Sequence, residues 1–229
     1  MCTLFINETM LAKDLINKNI PRLRLQDSVG KALQLINDFR ISHLPVVADD
    51  KFLGLIGEDD LLDAEDDKLS IEALHDSFVP ASVKENVHFL NAVNISIQYD
   101  TTVVPVVSAD DDFAGVITIP DLLKMLGNFA GANEIGGLIV LEMERHQFAI
   151  SEISRIVESN DCTILHLNTT ADPVSGLLTV TLHINKREIS SVVATFERYE
   201  YTVTRSFGNE TSENEITGNY RNLMNYLDI

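Results

Sequence analysis

The 229-residue sequence predicts an α+β fold (α/β mixed) made of two kinds of unit. Two β-α-β-β-α repeats pack as a pseudo-twofold pair, and a single β-α-β-β-α-β domain follows. Three observations carry this reading. Gly115-Val116-Ile117-Thr118-Ile119-Pro120-Asp121-Leu122-Leu123 repeats the form of Gly54-Leu55-Ile56-Gly57-Glu58-Asp59-Asp60-Leu61-Leu62: a glycine, two apolar residues, three variable positions, then Asp-Leu-Leu. Upstream, Ile41-Ser42-His43-Leu44-Pro45-Val46-Val47 matches Thr101-Thr102-Val103-Val104-Pro105-Val106-Val107. That match lies sixty positions along and the glycine match sixty-one, so the second hairpin turn has gained one residue. Beyond residue 137 the strands and helices follow another order with no second copy. A repeat of this length outranks other signals of fold.

Each copy is justified in chain order. An extended lead comes first: Ile20-Pro21-Arg22-Leu23 in copy one and Phe78-Val79-Pro80 in copy two. An amphipathic helix follows. In copy one Val29, Ala32, Leu33, Leu35, Ile36 and Phe39 recur near helical spacing after the cap candidates Asp27-Ser28; copy two offers Val87, Leu90, Val93 and Ile97. Short apolar strands come next, Leu44–Val47 and Val104–Val107. Acidic turns, Asp49-Asp50 and Asp110-Asp111-Asp112, lead into second strands, Phe52–Ile56 and Phe113–Ile119. The last helices start at Asp59-Asp60 and Pro120-Asp121. One copy is too small to bury both faces of its sheet, so two copies are expected to pack together.

Composition narrows the function. A net charge of -18 with scattered basic residues excludes a polyphosphate backbone or anionic membrane as partner, because both need a basic surface. No apolar run reaches the roughly 18 residues of a membrane span. The opening MCTLFINETMLAKDLI has no basic segment followed by an apolar block, so no signal peptide is expected. Cys2 and Cys162 are no disulfide framework, and a reducing cytoplasm is expected. The acidic runs lack EF-hand spacing and read as solvated helix ends and turns. No Gly-x-Ser-x-Gly, Cys-x-x-Cys or His-Glu-x-x-His occurs, so no enzyme is expected.

The order of elements, with an apolar-Pro-Val-Val strand before each hairpin and Gly-apolar-apolar-(Ser/Thr)-x-x-Asp after it, resembles the CBS domain, named for cystathionine β-synthase. Two copies in register resemble a Bateman module over roughly residues 8–128. Read as chemistry, Thr118 at a strand end and Asp121 in the first helical turn can aim a hydroxyl and a carboxylate at one point. That pair suits a vicinal diol such as ribose. The helix start beside it offers free N–H groups. The plain alternative is that Pro120 and Asp121 simply begin a helix well. The resemblance assigns Thr118 and Asp121 to the ribose of an adenosyl ligand. Copy one keeps Asp60 but has Gly57 in place of the hydroxyl, so a second, weaker site is expected there. The resemblance also implies that Ile20, Pro21, Ile41, Ser42 and His43 wall the base or meet the phosphate of the Thr118 site. Arg22, Arg24 and Arg40 lie nearby in sequence. His43 has Val103 as its counterpart, which favours a monophosphate or less charged adenosyl ligand over free ATP.

The last third predicts strands Leu138–Glu142, Thr163–Asn168, Leu177–Ile184 and Tyr201–Phe207, with helices Ile150–Ser159 and Glu188–Tyr199. That order is ferredoxin-like and resembles an ACT domain, a small-molecule regulatory module. The strand–helix turn Arg145-His146-Gln147-Phe148 lacks the glycine common at ACT amino-acid sites. Leu165 and Leu167 with Val180, Leu182 and Ile184 give the helix-packed face; Ile164 and His166 with Thr181 and His183 give the other. His166 and His183 then face each other across strands with no third ligand for a metal. The first strand is apolar on both faces, so another subunit or the CBS pair is expected to cover its outer side.

The expected organisation is CBS repeat 1 at 1–72, CBS repeat 2 at 73–128, a linker at 129–137, an ACT-like domain at 138–210 and a tail at 211–229 with a short helix at Tyr220–Leu227. CBS–CBS–ACT order resembles the acetoin-utilisation accessory proteins. The expected function is a cytoplasmic, non-enzymatic sensor, a homodimer or larger even oligomer. It takes AMP, ADP, ATP or S-adenosylmethionine as regulatory ligand, needs no cofactor or metal, and signals to an unknown protein. The alternative is a structural dimerisation module with degenerate pockets.

Overall fold

The computed structural model of the chain describes residues 10–208. The expected tail helix at Tyr220–Leu227 and Cys2 lie outside the described residues. The chain divides into two compact units, Met1–Leu126 and Gly127–Ile229.

In the first unit, copy one opens with α1, Val29–Phe39. Ser28 caps it by accepting the Lys31 N–H, and Val29, Ala32 and Ile36 form the buried stripe. Arg40 ends the helix in the left-handed region at φ 53°. Strands β1, His43–Ala48, and β2, Lys51–Gly57, then pair antiparallel. Asp49 and Asp50 join them with φ of 47° and 61°, the two left-handed residues that a type I′ hairpin needs. Helix α2, Glu58–Leu62, closes the copy. Copy two repeats the order with β3, Val83–Lys84; α3, Leu90–Tyr99; β4, Val103–Val107; β5, Phe113–Thr118; and α4, Ile119–Phe129. Its hairpin encloses residues 108–112 between Val107 and Phe113, where copy one encloses 48–51 between Val47 and Phe52. This is the extra residue that the shift from sixty to sixty-one implies.

The leads are exchanged between copies. Asn17 bridges Val116 of copy two, and Val79 bridges Leu55 of copy one. Glycine is required where these crossings lie flat on the hairpins. A Cβ on Gly54 would stand 2.7 Å from the Cβ of Phe78, and one on Gly115, at φ 148°, would stand 2.5 Å from Ile16 Cγ2. This corrects the expected lead of copy two. Phe78-Val79-Pro80 belongs to the crossing, and the strand beside β4 is Val83–Lys84, parallel to Val106-Val107. In copy one the matching contact is Leu23 beside Val46. The buried face of α3 also differs from the expected one. Phe89 and Ala92 are buried, whereas Leu90 and Ile97 are exposed, because the apolar residues at 90 and 97 fall on the solvent side of the turn that Phe89 anchors.

Three clusters hold this unit: one in copy one around Leu23, Leu44, Ile56 and Leu61, one in copy two around Phe89, Val104, Ile117 and Leu122, and one between them. The last joins Leu55, Ala81, Val103 and Val116, with Ile20 and Ile41 packed on it. Each fully buried Val, Leu or Ile contributes about 1.5–3 kcal/mol of transfer free energy, so the copies are bound by their shared core as well as by backbone bridges.

The second unit comprises β6, Gly137–Met143; α5, Ile150–Glu158; β7, Ile164–Ala171; β8, Leu178–Ile184; α6, Ser190–Arg198; and β9, Thr202–Phe207. Its antiparallel sheet has the order β7-β8-β6-β9, the ferredoxin-like arrangement. Ile153, Ile156, Val157, Val192 and Phe196 of the helices pack on Ile139, Leu141, Val180, Leu182 and Ile184. Helix α4 continues to Phe129 and Gly137 already belongs to β6, so the expected linker is shorter at both ends. His166 pairs with His183 as expected. A bulge between Ile164 and His166 breaks the alternation, so Ile164 joins Leu167 in the core and Leu165 is exposed, contrary to the expected faces. Burial along β6 alternates: Ile139, Leu141 and Met143 are buried, while Leu138 and Glu142 on the other side are exposed. His183 on that side is buried beneath Gly136.

Candidate functional site

At the end of β5 the Thr118 hydroxyl donates to Asp121 Oδ2 at 2.6 Å, and the Asp121 N–H points back to Thr118 Oγ1 at 3.3 Å. The strand places residue 118 at its last position and α4 raises residue 121 over it one turn later. Both side chains are half-buried. With Oδ2 occupied, Oδ1 of Asp121 faces no hydrogen-bond partner among the described residues and can accept from a ligand hydroxyl.

Copy one builds the same corner without the hydroxyl. Gly57 precedes α2 with φ -87° and ψ 159° and no side-chain cap. A Cβ there would lie 3.4 Å from Asp60 Oδ2 and 3.7 Å from the Cδ2–Nε2 edge of His43. Register explains the exchange. His43 pairs with Gly57, and Val103 pairs with Thr118. A large ring stands opposite a missing side chain in copy one; a small Val stands opposite Thr in copy two.

His43 therefore lies in its own copy's corner, and its other edge reaches copy two. The Thr102 N–H donates to Nδ1 at 3.3 Å, and Thr102 Oγ1 is also 3.3 Å away. That hydroxyl oxygen accepts the Ser42 N–H at 3.0 Å. Burial pushes the His43 imidazole below its ordinary pKa near 6.5, against the pull of the Asp100, Asp60 and Asp59 carboxylates. A neutral ring with Nδ1 bare is the form that accepts from Thr102.

The other expected wall residues divide. Ile20 and Ile41 pack on the cluster that contains Val116 and Val103, the register partner of Thr118. Ser42 meets Thr102, and Pro21 is half-buried in the lead. Arg22 and Arg24 are turned elsewhere. They line a separate cleft of about 430 Å³ with Val47, Ala48, Asp49 and Asp50, and Arg22 pairs with Asp50 at 3.1 Å. That cleft is at the far end of β1 from His43, roughly 16 Å away at about 3.3 Å per residue. Arg40, beside the interface in sequence, has no ion-pair partner among the described residues. The sequence reading passed over Thr102, although it stands at the repeat position of Ser42, and two hydroxyls at matched positions are the signal of a contact across the pseudo-twofold axis. It also passed over Thr101, whose Oγ1 is buried without a hydrogen-bond partner where copy one has Ile41. Among the described residues no group of three His, Cys, Asp or Glu side chains could hold a metal ion, and no helix is long and apolar enough to cross a membrane.

The CBS domain family matches residues 12–67 and 77–128. An inosine-5'-monophosphate dehydrogenase from Methanocaldococcus jannaschii is 28% identical over 114 residues, 49% of this chain but 23% of that enzyme. Among solved structures, a CBS domain pair/ACT domain protein from Thermotoga maritima is 20% identical over 52% of this chain and 98% of its own, with a TM-score of 0.48. CBSX2, solved in complex with AMP, is 19% identical over 53% of this chain and 98% of its own, with a TM-score of 0.45. A candidate acetoin utilization protein (AcuB) from Vibrio cholerae is 19% identical over 55% of this chain and 96% of its own, with a TM-score of 0.46. Element order, the paired Asp60 and Asp121 corners and the family match agree: the chain carries two CBS domains in tandem, a Bateman module.

Proposed function

We propose that this Bateman module is a regulatory sensor with one adenosyl site, at Thr118 and Asp121, and that the chain is not itself an enzyme. The observation that carries this reading is the preformed 2.6 Å Thr118–Asp121 pair, which copy one cannot build at Gly57. The pair costs no reorganisation on binding and keeps one carboxylate oxygen for a ribose hydroxyl. Ile20 and Ile41 supply an apolar wall from the other copy for a base. Basic groups are sparse there, since Arg22 and Arg24 face another cleft, so the ligand is AMP or another adenosyl compound of low charge. Ligand binding alters the packing of the copies across the Ser42–Thr102 contact.

Calorimetric titration of the full chain with AMP tests this. Asp121→Ala is expected to weaken AMP by about 1.5–3 kcal/mol, the loss of a hydrogen bond to a charged group. Asp60→Ala is expected to leave the affinity within about twofold. Equal losses in the two variants would reject the one-site asymmetry, and no AMP, ADP or S-adenosylmethionine binding to the unaltered chain would reject the sensor.

A further inference from the structure

We infer that His43 is a positioning residue for the Thr118–Asp121 pair, acting across the repeat interface through Thr102. The inference rests on the adenosyl-site reading above and adds a residue that does not touch the ribose pair. Its basis is a chain of contacts within the first unit. Nδ1 of His43 accepts the Thr102 N–H at 3.3 Å. The Thr102 carbonyl accepts the N–H of Ile119 at 3.3 Å, the residue between Thr118 and Pro120 and the first of α4. Thr102 Oγ1 accepts the Ser42 N–H at 3.0 Å, so copy one holds Thr102 by both its N–H and its hydroxyl. Copy one mirrors half of this, with the Glu58 N–H donating to the Ser42 carbonyl at 2.8 Å. It lacks the imidazole contact, because Val103 stands where a second His43 would be. The support is therefore one-sided and runs toward the copy that carries the hydroxyl.

The arrangement depends on charge state. Nδ1 receives an N–H and can do so only unprotonated. Adding a proton sets two N–H groups against each other, and the ring must turn or the Thr102 peptide must move. The carboxylates facing the ring are Asp59 and Asp60 from α2 and Asp100 from the turn after α3; all three favour the imidazolium, while burial opposes it. Burial prevails, so the ring is neutral at pH 7 and takes its proton below pH 6.5, as the solution is acidified. Ligand affinity at Thr118–Asp121 falls over that acid range.

Adenosine is the probe, since it has no phosphate to titrate. Its affinity for the full chain is measured by calorimetry from pH 8 to pH 5, with His43→Asn, whose Oδ1 stands in for Nδ1, and His43→Leu, which has no acceptor. The unaltered chain is expected to lose about three- to tenfold in affinity on acidification, the span of one net hydrogen bond. His43→Asn should bind as the unaltered chain does at pH 8 and stay flat with pH. His43→Leu should be flat and weaker by the same factor. A flat profile for the unaltered chain, or full affinity in His43→Leu at pH 8, overturns the inference. If adenosine binds none of the three proteins, the sensor reading fails and amide hydrogen exchange at Ile119 decides the positioning role. Faster exchange in His43→Leu than in His43→Asn upholds it; equal exchange overturns it.

Discussion

Gly57→Ser restores to copy one the hydroxyl that copy two carries, and the structure sets the size of the effect. The backbone at 57 is extended, φ -87° and ψ 159°, so a side chain meets no strain. A Cβ there has ordinary contacts, 3.4 Å to Asp60 Oδ2 and 3.7 Å to His43. Two terms favour the variant. Replacing glycine where the native backbone suits any residue lowers unfolded-chain entropy, for about 0.4–1 kcal/mol. Serine caps a helix better than glycine by a few tenths of a kcal/mol. The sum is about 1 kcal/mol, which raises the midpoint by about 4 °C for a unit of this size. Gly57→Ala separates the terms. It keeps the entropy gain but is a worse cap than glycine, so it should change the midpoint by less than about 2 °C. Scanning calorimetry of the full chain reads both. Under the sensor reading, AMP stoichiometry also rises from one toward two per chain in Gly57→Ser alone. A lowered midpoint in Gly57→Ser, or one equal to that of Gly57→Ala, would mean that Asp60 and His43 do not leave the space the geometry describes.

Thr101→Val exchanges a buried, unpartnered hydroxyl for a methyl of the same shape and should stabilise the chain by about 1 kcal/mol, seen as a higher urea midpoint at unchanged slope; a loss of stability would show that Oγ1 has a partner. Burial, followed by the 3.0 Å hydrogen bond from its hydroxyl to Glu152, pushes the Tyr201 phenol up to about 12. Its folded pKa exceeds the unfolded value of 10, so the stability it lends is complete below pH 10 and is lost as pH rises toward 12. Ultraviolet titration should show one late phenol that Tyr201→Phe removes, and uniform ionisation near pH 10 would refute the contact.

Much of the fold was legible because both copies obey the same local rules. The helical spacing from Val29 to Ile36, the Pro-Val-Val strands and the Asp turns each name their element, and the repeat supplies two readings of each. Three features were hidden. The exchange of leads is a long-range choice: Val79 has no local reason to prefer Leu55 to its own hairpin, and only Gly54 and Gly115, too crowded for a Cβ, hint at it. The bulge at Leu165 shifts the alternation by one, and a period-two count cannot see an inserted residue. The α3 face was misread because Phe89, just before the helix, anchors the turn. At the site, Thr118, Asp121 and Gly57 stood out as a broken repeat. The reach of Arg22 did not, because Leu23 runs beside Val46 and so carries Arg22 to Asp50, at the far end of β1 from His43.

The exchanged leads also explain why the copies can differ at the site without the pair falling apart. Val116 of one hairpin is bridged by Asn17 and Leu55 of the other by Val79. The shared cluster of Leu55, Ala81, Val103 and Val116 includes Val103, the register partner of Thr118, and Leu55, two residues before Gly57 in β2. Stability of the unit is thus invested in backbone bridges and apolar contacts that Gly57 and Thr118 do not touch. The corner residues are left to vary at small cost: Gly57 still starts α2, and the His43 ring stands beside the space a side chain at 57 would take, 3.7 Å from its Cβ. What the asymmetry changes is the route between copies. A ring at 43 and a valine at 103 give one hydrogen-bonded path, from copy one through Thr102 to the start of α4, and none of the same kind in reverse. Under the sensor reading the two corners are thus directional, with one copy holding the hydroxyl–carboxylate pair and the other holding that pair in place.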